Sequence, residues 1–478
     1  MRKTILLIIC MITVLPVVNA TRRLVPQQFT SIQAAINAAA AGDTVLVSPG
    51  VYYENLNFRS KGIVLASTYL LTNDTTTIDA TVINGSQPTI PDSASCVIIA
   101  SKVAGTSLDT TAMITGFKIT GGTGTKWEDE HNPGSVYREG GGILVQYLSP
   151  RILHNHITWN YATDLSGGMS SAGGGAIRCG DSNPLIQNNV IDNNQGRYGA
   201  GIVFNFCGGT IRNNLIAHNT GGQNFGGSGI WIYEVNSQGS PRIIINNTII
   251  YNYSTGGPGG GIRTWNSPAT IKNNILWGNT ASAGNQIFNA GGSIAVTYND
   301  IEGGYSGSGN ISTDPDFDVQ NYYLAASSPC IDKGDSSAVY TDIADPSNPS
   351  SAKFPSRGAL RNDMGAYGGP WCSILSGLST LWTGIGTDMN LGPAPEIRII
   401  PNPVKEEADI VMRGIPCKDL SPELFDMNGR NVRHLSATSS APGDYCIRFS
   451  RHELNSGNYL LILFSNSSIL AKKFLVID

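Results

Sequence analysis

Between Ile152 and Ile301 one short phrase, aliphatic-x-polar-Asn-x-aliphatic, returns six times, and it limits what this chain can fold into more than any other feature. Its copies are Ile152-Leu-His-Asn155-His-Ile157, Ile186-Gln-Asn-Asn189-Val-Ile191, Ile211-Arg-Asn-Asn214-Leu-Ile216, Ile244-Ile-Asn-Asn247-Thr-Ile249, Ile271-Lys-Asn-Asn274-Ile-Leu276 and Val296-Thr-Tyr-Asn299-Asp-Ile301. The anchoring asparagines are spaced by 34, 25, 33, 27 and 25 residues. A second phrase alternates with the first: Gly142-Ile143, Ala176-Ile177, Gly201-Ile202, Gly229-Ile230, Gly261-Ile262 and Gln286-Ile287. Each period therefore holds two strand-like pieces that bring an aliphatic residue inward. Helical repeats of this length would need long runs of apolar residues three and four apart, and the region offers Gly, Asn and β-branched residues instead. The pattern predicts a parallel β-solenoid with rungs ~4.8 Å apart. The recurrent asparagines are expected to bond from rung to rung, as amide ladders do in stacked strands.

Composition agrees with this reading and narrows the partners. Charged residues make up 14% of the 478, the net charge is −4 and there are 56 glycines, which suits a turn-rich β protein. No basic stripe exists to displace counterions from a phosphate backbone, so no nucleic-acid partner is expected. Residues 1–20 read as a secretory signal peptide: Arg2-Lys3, an apolar run from Ile5 to Val18, then Val18-Asn-Ala20 as a small-residue cleavage site. No other run is long and apolar enough to span a bilayer, so no transmembrane span is expected after signal removal. The cysteines left after Cys10 departs are Cys96, Cys179, Cys207, Cys330, Cys372, Cys417 and Cys446, scattered without metal-ligand spacing. Cys417 with Cys446 forms a plausible pair, and buried free thiols are the other reading.

Past the signal, Ser31 to Ala41 has a Ser N-cap and one apolar helical face, with Gly42 as its stop. Short strands follow at Thr44–Val47, Val51–Glu54 and Gly62–Leu65. A solenoid must cover its first rung, and this helix is placed to do so. Ile32-Gln-Ala-Ala-Ile36, Gly42-Asp-Thr-Val45, Pro49-Gly50, Tyr52 and Glu54 resemble the opening of secreted right-handed parallel β-helix proteins of the pectin lyase-like superfamily, and with the Asn-rich coils the likeness extends to about Glu302. Asp314-Pro-Asp-Phe317, Ser328-Pro-Cys-Ile-Asp332, Gly334 and Asp363-Met-Gly-Ala-Tyr367 resemble the closing segment that follows many such helices. The superfamily includes lyases, hydrolases, esterases and non-catalytic surface proteins, so the resemblance implies architecture more than activity.

Trp371 to Pro395 reads as a linker rich in Gly, Ser, Thr and Pro. Beyond it, Pro401-Asn-Pro403, Asp426-Met-Asn-Gly429-Arg430 and Gly457-Asn-Tyr459 resemble, in order, the type IX secretion sorting domain of Bacteroidota. That resemblance implies a small β-sandwich that engages the type IX machinery and brings the protein through the periplasm to the outer surface or the medium. The expected fold is thus all-β: a right-handed parallel β-helix with an N-terminal capping helix and closing segment over 21–370, a linker over 371–395 and a C-terminal β-sandwich over 396–478.

Chemistry is sought on the outward side of the coils. With each inward Ile as position zero, alternation turns position one outward and gathers Leu144, Arg178, Val203, Trp231, Arg263 and Phe288 into one exposed row. Position three adds Gln146, Gly180, Asn205, Tyr233, Trp265 and Ala290. Arg178, Trp231, Tyr233, Arg263 and Trp265 are the candidate substrate-binding residues, because flat rings suit sugars and guanidinium groups suit uronate carboxylates. Position four brings Asp181 and Glu234 two rungs apart with Phe206 between them. Their backbones would lie ~10 Å apart, and modest convergence would reach the separation of an inverting glycosidase pair, ~6.5–9.5 Å. They are the candidate catalytic carboxylates, with ordinary surface acids near a turn as the other reading.

The longest insertion, Thr123 to Glu139, would wall this face and carries Glu128-Asp-Glu-His131. Glu128 to His131, and Asp314, Asp316 and Asp318, are candidates for Ca²⁺, but consecutive acids cannot all face one ion, which favours a solvated loop, and Pro315 with the missing Gly and distal Glu favours a turn at the second set. No cofactor is firmly implied. The arginine-proline-arginine of pectate lyases, the Gly-His-Gly of polygalacturonases and the Gly-Gln-Asp of pectin methylesterases are missing, so no family catalytic residue carries over. His154 and His156 flank the first ladder Asn as structural substitutes. The functional expectation is a secreted β-helix that binds, and in one reading cleaves, extracellular polysaccharide. The alternative is a non-catalytic surface adhesin or scaffold.

Overall fold

The computed structural model describes residues 20–101, 111–223, 225–235, 239–318 and 322–376 of a first unit, and 396–400, 404–413, 421–426, 431–436, 438–441, 444–452, 454–464 and 469–476 of a second. Nearly all of the expected signal peptide, most of the expected linker, the Pro401–Pro403 and Gly429-Arg430 motifs and Cys417 lie outside the described residues.

One coil shows how the repeat folds. Strand Ile177–Gly180 ends at Asp181, strand Leu185–Gln187 follows, and the pair Asn188-Asn189 separates it from strand Val190–Asp192. Asn193-Asn194 makes the next corner before the two-residue strand Gln195–Gly196. The first residue of each corner is left-handed, with φ of 56° at Asn188 and 54° at Asn193. Asn tolerates that conformation better than most L residues. The corner needs only two residues, so the repeated phrase spans two strands rather than one. Each coil thus has three main strands and a short fourth, where the sequence pattern predicts two.

The coils stack in parallel into three sheets. Sheet 1 has eight strands, from Leu56–Asn57 to Ile287–Ala290; sheet 2 has ten, from Arg22–Val25 to Ile294–Thr297; sheet 3 has nine, from Gly50–Tyr52 to Asp300–Ile301. Ile143, Ile177, Ile202, Ile230, Ile262 and Ile287 stand in register in sheet 1. All are buried in one core with the matching columns of the other two sheets. The Asn ladder forms as expected. Nδ2 of Asn155 donates to Oδ1 of Asn189 (3.1 Å), and the relay continues through Asn214 (2.9 Å), Asn247 (3.0 Å), Asn274 (3.0 Å) and Asn299 (2.9 Å) to Asn310. A second ladder, five residues on, runs through Asn160, Asn194, Asn219, Asn252 and Asn279.

The ends are sealed by different devices. The helix Ile32–Ala38 buries Ile32, Ala35 and Ile36 on the first rung. Its unpaired N-terminal amides are taken by Ser31 Oγ and by both carboxylate oxygens of Glu54. It stops at Ala38, ahead of the expected Gly42, and the Lys61 ammonium caps the carbonyls of Ile36, Asn37 and Ala39. The closing segment then runs back along the corner asparagines. Asn273 Oδ1 accepts from the Asp335 amide (2.8 Å), Asn246 donates to the Asp363 carbonyl (2.9 Å), Asn213 to that of Gly368 (2.7 Å) and Asn188 to that of Trp371 (3.0 Å). It remains packed past the expected boundary at 370: the Trp371 ring lies under Arg212 (4.1 Å), and Leu375 is buried.

The second unit forms two four-stranded antiparallel sheets, one built on 396–400, 407–413, 438–441 and 444–450, the other on 421–426, 431–434, 457–464 and 469–476. Ile399, Ile410, Leu424, Phe449, Leu461 and Val476 share its buried cluster. Cys446 is a free thiol, as are Cys96, Cys179, Cys207, Cys330 and Cys372.

Candidate functional site

The outward row of sheet 1 is in register as the alternation requires, but most of it is not exposed. Arg178 retains 3% of its accessible surface, Trp231 and Arg263 retain 5% each, and Leu144 and Val203 are fully buried. Over Arg178 the cover is the Thr123–Glu139 insertion, an antiparallel hairpin, Gly124–Glu128 against Val136–Glu139, with Ser171–Gly173 beside it, whereas Trp231 packs against Tyr198 and Phe225 and Arg263 lies among Trp231, Trp265 and Phe288. Trp127 lies directly opposite Tyr137, an aromatic cross-strand pair that favours the hairpin, although Lys126 lies opposite Arg138.

The hairpin is fastened to the sheet at both ends. At its base the Glu139 carboxylate lies 2.6 Å from Arg178 Nε and accepts the Tyr198 hydroxyl. Burial pushes the Glu139 carboxyl up, and the Arg178 charge pulls it back. Gln146 accepts from the same guanidinium. At the tip, the His131 imidazole stacks on Phe206 with ring centres 3.5 Å apart, and its Nε2 lies 2.9 Å from Asp181 Oδ1. Arg178 is thus a buried anchor rather than an open sugar contact.

Position four departs from the alternation altogether. Tyr147, Asp181, Phe206, Glu234 and Asn266 are all left-handed, with φ between 45° and 59°, so this column is a corner. Asp181 receives Gln146 Nε2 (3.0 Å) as well as His131, and Glu234 receives Asn266 Nδ2 (3.0 Å). The rung between the two carboxylates is filled by Phe206 with His131 lying on it. The acids of the hairpin tip are engaged locally too: Glu130 accepts from Trp127 Nε1, Glu128 from the Gly134 amide and Asp129 from the His131 amide. Among the described residues no group of three or more His, Cys, Asp or Glu is placed to hold a metal.

Beyond the hairpin, on the last rungs of sheet 1, the face opens. Trp265 is 38% exposed, and Tyr233, Glu234 and Phe288 are half-buried. Trp231 and Tyr233 lie nearly parallel (16°) with ring centres 6.3 Å apart, and Tyr198 and Phe225 back the Trp231 ring. Among these rings sits the Arg263 guanidinium, 4.4 Å from the centre of Trp231, 5.4 Å from Trp265 and 5.8 Å from Phe288. Its Nε and Nη1 are buried without an acceptor. Burial lowers its pKa to about 10, so at neutral pH it stays charged with two donors unsatisfied. Burial first, and then the charges of Glu234 and Asp129, push the Tyr233 phenol up, which places the hairpin tip at the border of this ledge.

Of the expected site residues, Trp231, Tyr233, Arg263, Trp265 and Glu234 come together here. Arg178 and Asp181 belong to the hairpin anchorage. The sequence offers His131 only within a stretch suited to a metal and gives Glu139 and Tyr198 no role, because each acts across a long insertion; the second ladder is legible as Asn-x-aliphatic-x-x-Asn.

Two family models match the chain: the right handed beta helix region over residues 68–276 and the secretion system C-terminal sorting domain over residues 398–477. No curated protein matches it. One solved structure, of pectin methylesterase in complex with hexasaccharide VII, aligns at 12% identity over 65% of this chain and 98% of that one, with a TM-score of 0.30. Among the described residues no helix is long and apolar enough to cross a membrane. The chain therefore carries a right-handed parallel β-helix and a type IX secretion sorting domain that sends it to the cell surface or beyond.

Proposed function

We propose that the protein holds an extracellular polysaccharide against the open end of sheet 1, as a binder rather than a hydrolase. Trp265 and Tyr233 supply stacking surfaces for sugar rings, and Arg263 pairs with an acidic group on the chain. The observation that carries this reading is the Arg263 guanidinium, buried among three rings with two donors unpaired. A buried cation is normally paired, so a carboxylate or sulfate that reaches the guanidinium as the exposed Trp265 ring swings aside would complete the site.

The geometry argues against cleavage by Asp181 and Glu234. Both carboxylates are hydrogen-bonded to protein groups, and the Phe206–His131 stack occupies the rung where a sugar would have to sit between them. The test is a panel of uronic-acid and neutral glycans, followed by affinity, unsaturated-product absorbance and reducing ends. An acidic glycan should bind with affinity that falls as salt rises. Arg263→Met should lose about tenfold or more, the scale of one hydrogen bond to a charged group, and Arg263→Lys should not restore it. Equal binding of neutral glycans, unchanged in Arg263→Met, would sink the acidic-ligand reading. New reducing ends that vanish in Glu234→Gln would restore the hydrolase.

A further inference from the structure

A second place on the β-helix unit has the make-up of a ligand site, and it shares no residue with the ledge on sheet 1. It is a cavity of about 380 Å³ between the short helix Tyr69–Thr72 with the residues that follow it and the end of the closing segment. Ligand pockets begin at ~300 Å³, so the space fits one or two sugar rings and not a long chain.

Its apolar walls are Tyr69, Ile343, Phe354, Pro355 and Ile374. Phe354 is 51% exposed although its ring meets Tyr323 on one side (5.0 Å between centres). Ile343, Phe354 and Ile374, three of the exposed large apolar side chains among the described residues, all line this one cavity. A concentration of that kind marks a binding surface more often than chance scatter does. The polar groups are Asn73, Asp74, Thr75, Lys353 and Ser373. Among the described residues, neither the Lys353 ammonium nor the Asn73 side-chain amide makes a hydrogen bond, while Asp74 keeps one carboxylate oxygen beyond the one used by Thr76.

We propose that this cavity is a carbohydrate site that takes a terminal monosaccharide or a disaccharide, and that the bound sugar ties the closing segment to the Tyr69–Thr72 helix. An acyl chain would strand the polar groups without water. An inorganic anion drawn to Lys353 would face the Asp74 carboxylate. A pyranose has an apolar face for Phe354 and a rim of hydroxyls that both donate to Asp74 and accept from Lys353 and Asn73, so it satisfies both kinds of wall at once. Because the cavity joins an early rung to the end of the closing segment, binding should also hold that segment down.

The experiment titrates the full chain with cellobiose, maltose, xylobiose, chitobiose and digalacturonate, and with glycine and aspartate as small zwitterions, in wild type and in Phe354→Ala, Lys353→Met and Trp265→Ala. Phe354 is exposed enough that its truncation should leave the fold intact, and Lys353→Met provides a second variant on the surface. At least one disaccharide should bind saturably, weaken about tenfold or more in both cavity variants and bind Trp265→Ala as it binds wild type. Slower amide exchange across residues 340–376 should accompany it. The proposal is overturned if no disaccharide binds, if binding is lost only in Trp265→Ala, or if the zwitterions bind in place of the sugars. Binding lost only in Trp265→Ala would place the disaccharide on the ledge of sheet 1, so failure of this site and failure of the ledge are told apart.

Discussion

At the scale of single residues, the two asparagines of the corners 188–189, 213–214, 246–247 and 273–274 do different work although they are chemically identical. The left-handed one faces out and reads the closing segment; the one after it faces in and builds the ladder. Asn214 shows what an inner position is worth. Its Nδ2 serves the carbonyls of Ile186 and Arg212, and its Oδ1 accepts both the amide and the side chain of Asn189. Asn214→Ala should cost several kcal/mol, at about 1–3 kcal/mol for each buried group left unpaired. Asn310→Ala, at the half-buried end of the ladder, should cost less, and urea unfolding midpoints of the two variants will show the order. Arg178 is the other residue with high stakes. Arg178→Met abandons a buried Glu139 and should destabilise by about 3–5 kcal/mol, whereas adding Glu139→Leu should recover most of the loss. If the single variant unfolds as wild type does, the hairpin is not anchored there.

At the scale of elements, two attachments should loosen as pH rises, in different windows. The helix Thr76–Ala80 is clamped to sheet 3 by His156, which sits 2.7 Å from Asp79 and 3.0 Å from Asp192. Burial alone would lower the imidazole pKa, but the two carboxylates raise it to about 9. The clamp is complete below the unfolded value near 6.5 and is lost as pH climbs through about 9. In the closing segment, burial and the neighbouring Asp363 push Asp342 to about 8, and burial pushes Asp363 to about 7. A group whose folded pKa is raised stabilises by keeping its proton. That contribution is present below the unfolded carboxyl value near 4 and fades up to about pH 8. Stability followed by circular dichroism should therefore fall across both windows. His156→Gln should flatten the upper one and Asp342→Asn the lower.

At the scale of the whole molecule, the chain divides into a unit that carries the candidate ledge and a unit that carries the address. Each has its own buried cluster. Removal of residues 396–478 should leave the Asn ladders and glycan binding intact while the protein accumulates inside the cell envelope. Protease accessibility on whole cells, set beside a glycan pull-down of the purified β-helix unit, checks both halves of that expectation. Loss of binding on truncation would mean that the sorting unit takes part in recognition.

Rung order, register and the inward columns followed from the sequence alone, because they rest on local periodicity: side chains alternate every two residues along a strand, and each coil repeats the last. Ile143 to Ile287 align for that reason, and so do the asparagines. Exposure did not follow. Whether Arg178 meets solvent depends on a hairpin inserted dozens of residues earlier, and whether Asp181 and Glu234 face each other depends on a left-handed corner that breaks the alternation. Both are decided by segments meeting across the coils, where a repeat has nothing to say; only the assembled structure leaves Trp265 open above a buried Arg263 while it covers the rungs before them.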